Sequence, residues 1–255
     1  MTENNKGTPK EKDNENGAPI RFKRFVIHEL IGVGGMAEVY RGSAEQPDGG
    51  RVPIVLKRIK KEHSKNKSFV QMFVDEAKLS ARMKHPNIVE VFEYGQDRDI
   101  HYLTMEYIDG LHLQATHKAY DQKEGSPLPW QAVVLIVRDV LRGLNYAHEL
   151  TDEEGAPLGL IHRDVNLDNV MIGRDGQVKL LDFGIVKARE GIRAAETAAG
   201  VLKGKFGYMS PEQVAGKPLK PNSDVFSTGI VFHELLTGQR LFYGDDDLSI
   251  LMAVK

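Results

Sequence analysis

Two lobes are predicted for this chain, an α+β architecture with strands first and helices after, on three observations. Up to about residue 108, short β-rich runs alternate with glycine and turn residues. After Asp109, apolar residues recur at helical spacing. The two regimes meet in one short stretch, Glu106–Gly110. The expected boundaries are a disordered tail over 1–20, a first lobe over 21–108 and a second over 109–255.

The tail is polar, mixed in charge and almost free of large apolar residues, so burial cannot offset its ordering entropy. From Phe25, "FVIHELIGVGGMAEVYRG" predicts two strands around a glycine cluster. "QPDGG" at 46–50 has turn chemistry, and "RVPIVLKRIK" (51–60) reads as the next strand. "KSFVQMFVDEAKLSARMK" (67–84) has helical periodicity, and "NIVEVFEYG" and "IHYLTMEYI" predict two further strands. In the second lobe a long amphipathic helix follows "SPLP", its expected stripe being Trp130, Val133, Val134, Val137, Val140, Leu141, Leu144 and His148. "NVMIGRDGQVKLLDFG" predicts a hairpin turned at Asp175-Gly176. "SDVFSTGIVFHELLTG" (223–238) predicts a buried helix with a Ser-Asp cap signal and a terminal glycine.

Composition narrows the chemistry. The chain has 255 residues, 41% hydrophobic and 27% charged, with a net charge of −2. That balance offers no general pull toward nucleic acid or an anionic membrane. There are no cysteines, which excludes disulfides, a thiolate nucleophile and a cysteine-ligated metal. The longest apolar run, Ala132–Val137, is far too short to span a bilayer, and the first residues lack a signal-like apolar core. A cytoplasmic location is expected.

Four features carry chemistry. Gly32-Val33-Gly34-Gly35-Met36-Ala37 lies between strands, where its backbone could approach a triphosphate. Lys57 shares a strand face with Val55 and Ile59. Phe69, Phe73, Glu76, Ser80 and Met83 form one helical stripe, in which a carboxylate is costly unless it meets a cation. Lys57 is the natural partner; the alternative is that both side chains reach the surface. "HRDVNLDN" (162–169) and "DFG" (182–184) then place Asp164, Asn169 and Asp182 on either side of the hairpin.

These parts, in this order and followed by "SPE" at 210–212, resemble a protein kinase. "GGMAEVY", "HPNIV", "MEYIDG" and "YMSPEQ" are similar to the eukaryotic-like Ser/Thr kinases of bacteria, and the likeness covers residues 22–255. The resemblance implies a bilobal kinase fold and an ATP- and Mg²⁺-dependent transfer of phosphate to Ser or Thr of a protein substrate, with autophosphorylation. It implies that the 32–37 loop, with Gly32, Gly34 and Gly35, covers the ATP phosphates, that Ile31 also binds the nucleotide, and that Val39 and Val55 lie against the adenine. Lys57, paired with Glu76, would hold the α- and β-phosphates. Met105 would be the gatekeeper, the backbone of Glu106 and Ile108 would bond the adenine edge, and Met171 would close the pocket from below. Asp164 would take the proton of the acceptor hydroxyl, while Asn169 and Asp182 hold Mg²⁺.

Three departures from the pattern stand out. Ala37 replaces the third loop glycine, which should stiffen the turn. Asn166 stands where Ser/Thr kinases carry Lys; it is expected to donate a neutral bond to the phosphate, weaker by about 2–3 kcal/mol than a charged one. Such a loss slows transfer by about one to two orders of magnitude. Lys203 or Lys205 could restore the charge, Lys205 standing where the resemblance places Thr. Finally, the resemblance implies further helices after Lys255 and an Arg there for Glu212, so the second lobe is expected to be incomplete: either the sequence is a fragment, or a second copy (as a homodimer) or a partner chain covers its floor.

Arg163 and Thr197 are the expected phosphate receiver and phosphosite, "TDEEGAPLG" (151–159) an exposed hairpin or loop, and His162 a core residue beside Phe183. Two rival readings remain: a pseudokinase acting as a nucleotide-binding scaffold, and a small-molecule kinase, the latter weakened by "YMSPEQ".

Overall fold

A computed structural model of the chain describes residues 20–183 and 205–255. The 1–20 tail, except Ile20, and the positions Thr197 and Lys203 therefore lie outside the described residues. The first lobe is a six-stranded antiparallel sheet in the order β1-β2-β3-β4-β6-β5. Its strands are Ile20–Phe22 (β1), Phe25–Val33 (β2), Ala37–Glu45 (β3), Arg51–Ile59 (β4), Val91–Asp97 (β5) and Ile100–Glu106 (β6). One helix, Lys67–Ser80 (α1), packs on it. Asn66 starts α1 by accepting from the amides of Ser68 and Phe69. The helix ends at Ser80 rather than continuing to Lys84; Met83 is still buried, but from the turn beyond.

Glu106 ends the large sheet, and Gly110–His112 (β7) opens a second, three-stranded one with Val170–Gly173 (β8) and Val178–Leu180 (β9). Among the described residues the α-helices of the second lobe are Leu113–Glu124 (α2), Trp130–His148 (α3), Pro211–Val214 (α4), Pro221–Thr237 (α5) and Asp247–Val254 (α6). The core of this lobe joins Val133, Val140 and Leu144 of α3 to Ile230, Val231 and Leu235 of α5.

The stripe expected for α3 is corrected in phase. Val133, Ile136, Val140, Gly143, Leu144 and Ala147 face inward, whereas Trp130, Val134 and Leu141 are exposed. A helix this rich in valine and leucine carries apolar residues on more than one face, so periodicity alone admits either phase. Helix α5 begins at Pro221, so Ser223 and Asp224 are buried within its first turn; Ser223 still helps to cap it by accepting the Lys220 N–H at 3.4 Å, whereas Asp224 points elsewhere. Its end agrees with expectation: Gly238 takes the left-handed conformation, φ 71°.

Among the contacts that join the lobes, two hydrogen-bonded seams lie behind the cleft. Val89 N–H donates to Leu180 O and Leu180 N–H to Asn87 O, both at 2.9 Å, while Asn87 Nδ2 donates to Val178 O at 3.0 Å. Second, the buried Lys179 ammonium donates to Glu106 Oε1 at 2.6 Å, and that same oxygen accepts the Glu90 amide at 2.7 Å. Gly110, at the join, pairs with Gly173 so closely that a Cβ would collide with the Ile172 carbonyl. Gly110→Ala is accordingly expected to destabilise the chain by about 1–3 kcal/mol, each kcal/mol lowering the melting temperature by about 2–4 °C at this size. An unchanged melting curve would show that the strands separate at no cost.

Candidate active site

The site lies where strand ends from both sheets converge. Hairpin β8–β9 is antiparallel, so the residue before β8 and the residues after β9 arrive at the same end. These are Asn169 and Asp182, and Leu181 N–H donates to Asn169 O at 2.9 Å to hold them together. Lys57 on β4 reaches the same place from the other lobe. Its ammonium donates to Glu76 Oε1 and to Asp182 Oδ1, each at 2.9 Å. Glu76 thus finds its cation on the buried face of α1, as its apolar stripe requires.

The electrostatics follow from this geometry. Burial would lower the Lys57 pKa, but the carboxylates of Asp182 and Glu76 reverse that effect and hold it well above the usual lysine value. Glu76 is raised, because burial outweighs the nearby ammonium. Asp182 also suffers desolvation, yet Lys57, with help from Lys205, holds it below the ordinary carboxylate range. Asp182 therefore stays ionised.

The 162–169 segment is braced from below. Arg163 has φ 68°, a left-handed conformation that a non-glycine residue seldom adopts unless its surroundings hold it there. The brace is Asp224, 1% exposed. Its Oδ1 accepts Arg163 N–H at 2.9 Å, and its Oδ2 accepts His162 N–H at 2.8 Å and His148 Nε2 at 2.7 Å. Sequence reasoning assigned Asp224 to a helix cap and missed this role. The available signal was a carboxylate inside an otherwise apolar helix, which needs donors from elsewhere.

His162 is fully buried and its ring lies tilted against Phe183, with 4.6 Å between ring centroids, a core position as expected. Its Nε2 contacts Leu181 O at 2.9 Å, and its Nδ1 accepts Asp164 N–H at 3.3 Å. Only a neutral ring protonated on Nε2 satisfies both, and burial lowers its pKa in the same sense. Asp164 is thereby oriented through its own backbone.

Asn166 requires a correction. It is 2% exposed, and its Nδ2 donates to Asp164 O at 3.0 Å and to Asp164 Oδ1 at 3.1 Å. Its Oδ1 accepts Asp168 N–H at 2.9 Å. Both N–H groups are engaged within the loop, so the expected bond to a phosphate is not available in this arrangement. Asn169 Nδ2 also donates to Asp164 O, at 2.8 Å, which leaves its Oδ1 to serve a ligand.

The apolar residues expected around a base are partly assembled. Val55 and Met105 belong to one buried cluster, with Val39 and Ile108 packed against it; Met171 sits apart on β8, opposite His112. Ile31 is exposed at the mouth, beside the turn closed by Gly34 N–H to Ala37 O at 2.8 Å. Gly32 and Gly35 have room for a Cβ. The methyl of Ala37 is buried in the cluster, so it adds packing and does not face the loop's open side. Glu106 N–H is taken by Glu90 O at 2.9 Å, so Glu106 can offer a ligand its carbonyl only. Glu212 receives the Ser223 hydroxyl, a bond that holds its pKa below the usual value.

The Asp182 carboxylate with Asn169 beside it, a lysine between the lobes and a glycine turn over the cleft suit a nucleotide phosphate chain that carries a divalent metal. The protein kinase domain family matches residues 25–254. This chain belongs to the protein kinase family.

Among relatives of this kinase domain, Tyrosine-protein kinase MasK of Myxococcus xanthus is 40% identical over 90% of the chain and 35% of its own length. Serine/threonine-protein kinase PknL of Mycobacterium tuberculosis is 39% identical over 89% of the chain and 52% of its own length. The chain thus spans about a third to a half of the curated relatives it matches. The crystal structure of the PknI kinase domain of Mycobacterium tuberculosis superposes with a TM-score of 0.63 at 26% identity, covering 87% of this chain and 77% of that one. The kinase family uses ATP and a divalent metal. Among the described residues no helix is long and apolar enough to cross a membrane.

Proposed function

We propose that this kinase domain transfers the γ-phosphate of ATP, with Mg²⁺, to Ser or Thr hydroxyls of a protein. The observation that carries the reading is Lys57 held at 2.9 Å from both Glu76 and Asp182, with Asn169 tied to the Asp164 backbone beside them. The donor set fits Mg²⁺, which takes one or two protein oxygens plus phosphate and water rather than a carboxylate cage. Asp182 and the Oδ1 of Asn169 would hold the ion. Bound there, Mg²⁺ neutralises charge on the transferring phosphate.

The protein groups do the rest by position and charge. Ile31 and Gly32, Gly34 and Gly35 cover the phosphates; Val39, Val55, Met105 and Met171 enclose the adenine; the Glu106 carbonyl and the Ile108 amide bond its edge. Lys57 fixes the α- and β-phosphates. Asp164 orients the acceptor hydroxyl and accepts its proton as the oxygen attacks phosphorus. The Ser/Thr assignment follows relatives such as PknL; MasK, named as a tyrosine kinase, makes the acceptor residue part of the test. A pseudokinase scaffold is the second reading, favoured by the neutral Asn166.

Transfer of labelled γ-phosphate from Mg-ATP to the chain itself and to a mixed Ser/Thr/Tyr acceptor tests the proposal. Label on Ser or Thr that disappears in Asp164→Asn supports it. Label on Tyr alone changes the acceptor class, and none at all from folded chain leaves the scaffold.

A further inference from the structure

The active site lacks a cation at the position of Asn166, and the structure offers one from a different segment. Lys205 starts the 3-10 turn Phe206–Tyr208, with Tyr208 N–H donating to Lys205 O at 3.2 Å. Phe206, Gly207 and Tyr208 are all buried, and Tyr208 Oη donates to Glu234 Oε2 at 2.5 Å on α5. The base of the Lys205 side chain is therefore fixed by the core of the second lobe. Its tip is not tied down by a hydrogen bond to Asp164: Nζ lies 3.9 Å from Asp164 Oδ2, a charge contact longer than a hydrogen bond. Its charge also lowers the pKa of Asp182. Lys205 thus acts electrostatically on both carboxylates that flank the reacting centre, while Lys57 is bonded to Glu76 and Asp182.

We propose that Lys205 is a catalytic residue: its ammonium supplies, from the activation segment, the positive charge on the transferring phosphate that Asn166 does not carry. This rests on the phosphotransferase reading above. The division of labour is physical. Asn166 holds the Asp164 carboxylate in place through its Nδ2 at 3.1 Å, a task for a neutral amide. Lys205 brings charge without closing a hydrogen bond to Asp164, so it can turn toward a phosphate oxygen as negative charge develops there. In the reaction the acceptor oxygen bonds to phosphorus, the bond to the ADP oxygen breaks, and the acceptor proton passes to Asp164. Lys205 donates hydrogen bonds throughout and gains or loses no proton. One consequence is that activity depends on the placement of this segment, since moving residue 205 removes the charge from the site.

The test compares wild type with Lys205→Met, Lys205→Arg and the double variant Lys205→Met/Asn166→Lys, using kcat, KM for ATP and thermal melting. Lys205→Met is expected to lower kcat about 10- to 100-fold with KM for ATP changed less than about threefold, as for loss of one charged donor to the transition state. Lys205→Arg should retain most of the rate. Asn166→Lys in the Met background should recover at least about tenfold, because it returns the charge from the other side of Asp164. A Met variant as fast as wild type overturns the proposal. So does a loss that neither Arg nor Asn166→Lys recovers, whether or not the melting point falls, because the role is then structural. A wild type that transfers nothing overturns the kinase reading and this inference together, whereas an active wild type indifferent to residue 205 overturns the inference alone.

Discussion

Asp224→Ala is expected to destabilise the protein by about 3–5 kcal/mol and to silence transfer in whatever fraction stays folded. The size of the effect follows from what the carboxylate holds. It accepts the amides of His162 and Arg163 and the ring of His148, all within 2.7–2.9 Å, in a place where water does not enter. Removing it leaves buried donors unsatisfied and releases Arg163 from φ 68°. Asp164 follows directly in the chain, so its carboxylate would lose register with Asn169 and Lys205. Thermal melting and transfer rate check this together. Asp224→Asn should fall between, since one amide oxygen replaces two acceptors and the new NH2 faces a donor. If Asp224→Ala melts like wild type, the brace is not what holds the loop.

Much of this site was legible in sequence because its members break local rules. Glu76 sits in a stripe with Phe69 and Phe73, and such a carboxylate demands a cation; Lys57, among Val55 and Ile59, makes the complementary demand. The Asn169 and Asp182 ends of the hairpin follow from its turn at Asp175-Gly176. Asp224 obeys the same logic, but it stands three residues after Pro221 and next to Ser223, where a capping role explains it locally. Lys179 was passed over for a like reason: one lysine in a three-residue strand looks solvated until Glu106 is seen opposite it. The end of α1 at Ser80 and the phase of α3 depend on packing partners distant in sequence, and no local pattern encodes those.

Lys57→Met should lower phosphate transfer by about 10²- to 10³-fold, the scale for loss of one preorganised charged donor. Its second consequence is a change in pH dependence. In the wild type Lys57 holds the Asp182 pKa below the ordinary range, so this carboxylate remains charged until the pH falls through that lowered value. Without Lys57 the value rises, and the acid limb of the rate profile must move to higher pH. Glu76, already raised by burial, then takes up a proton more readily still and ceases to be a buried charge. Residual rates measured across acidic pH test this. A profile that scales down without shifting would mean that Lys57 does not set the ionisation of Asp182.

The bonds among Asn87, Val89, Val178 and Leu180, with the Lys179–Glu106 pair beside them, act as a pivot. Strand β9 belongs to the small sheet by its pairing with β8, yet it is pinned to the segment that leads into β5 of the large one. Rotation of one lobe against the other must turn about this line or break it. Displacement in such a rotation grows with distance from the axis, so the Gly32–Gly35 turn should sweep further than Lys57 or Asp182. Opening the cleft to exchange nucleotide can then leave the amides of Val89 and Leu180 among the slowest to exchange with solvent, while the amides around the glycine turn exchange freely.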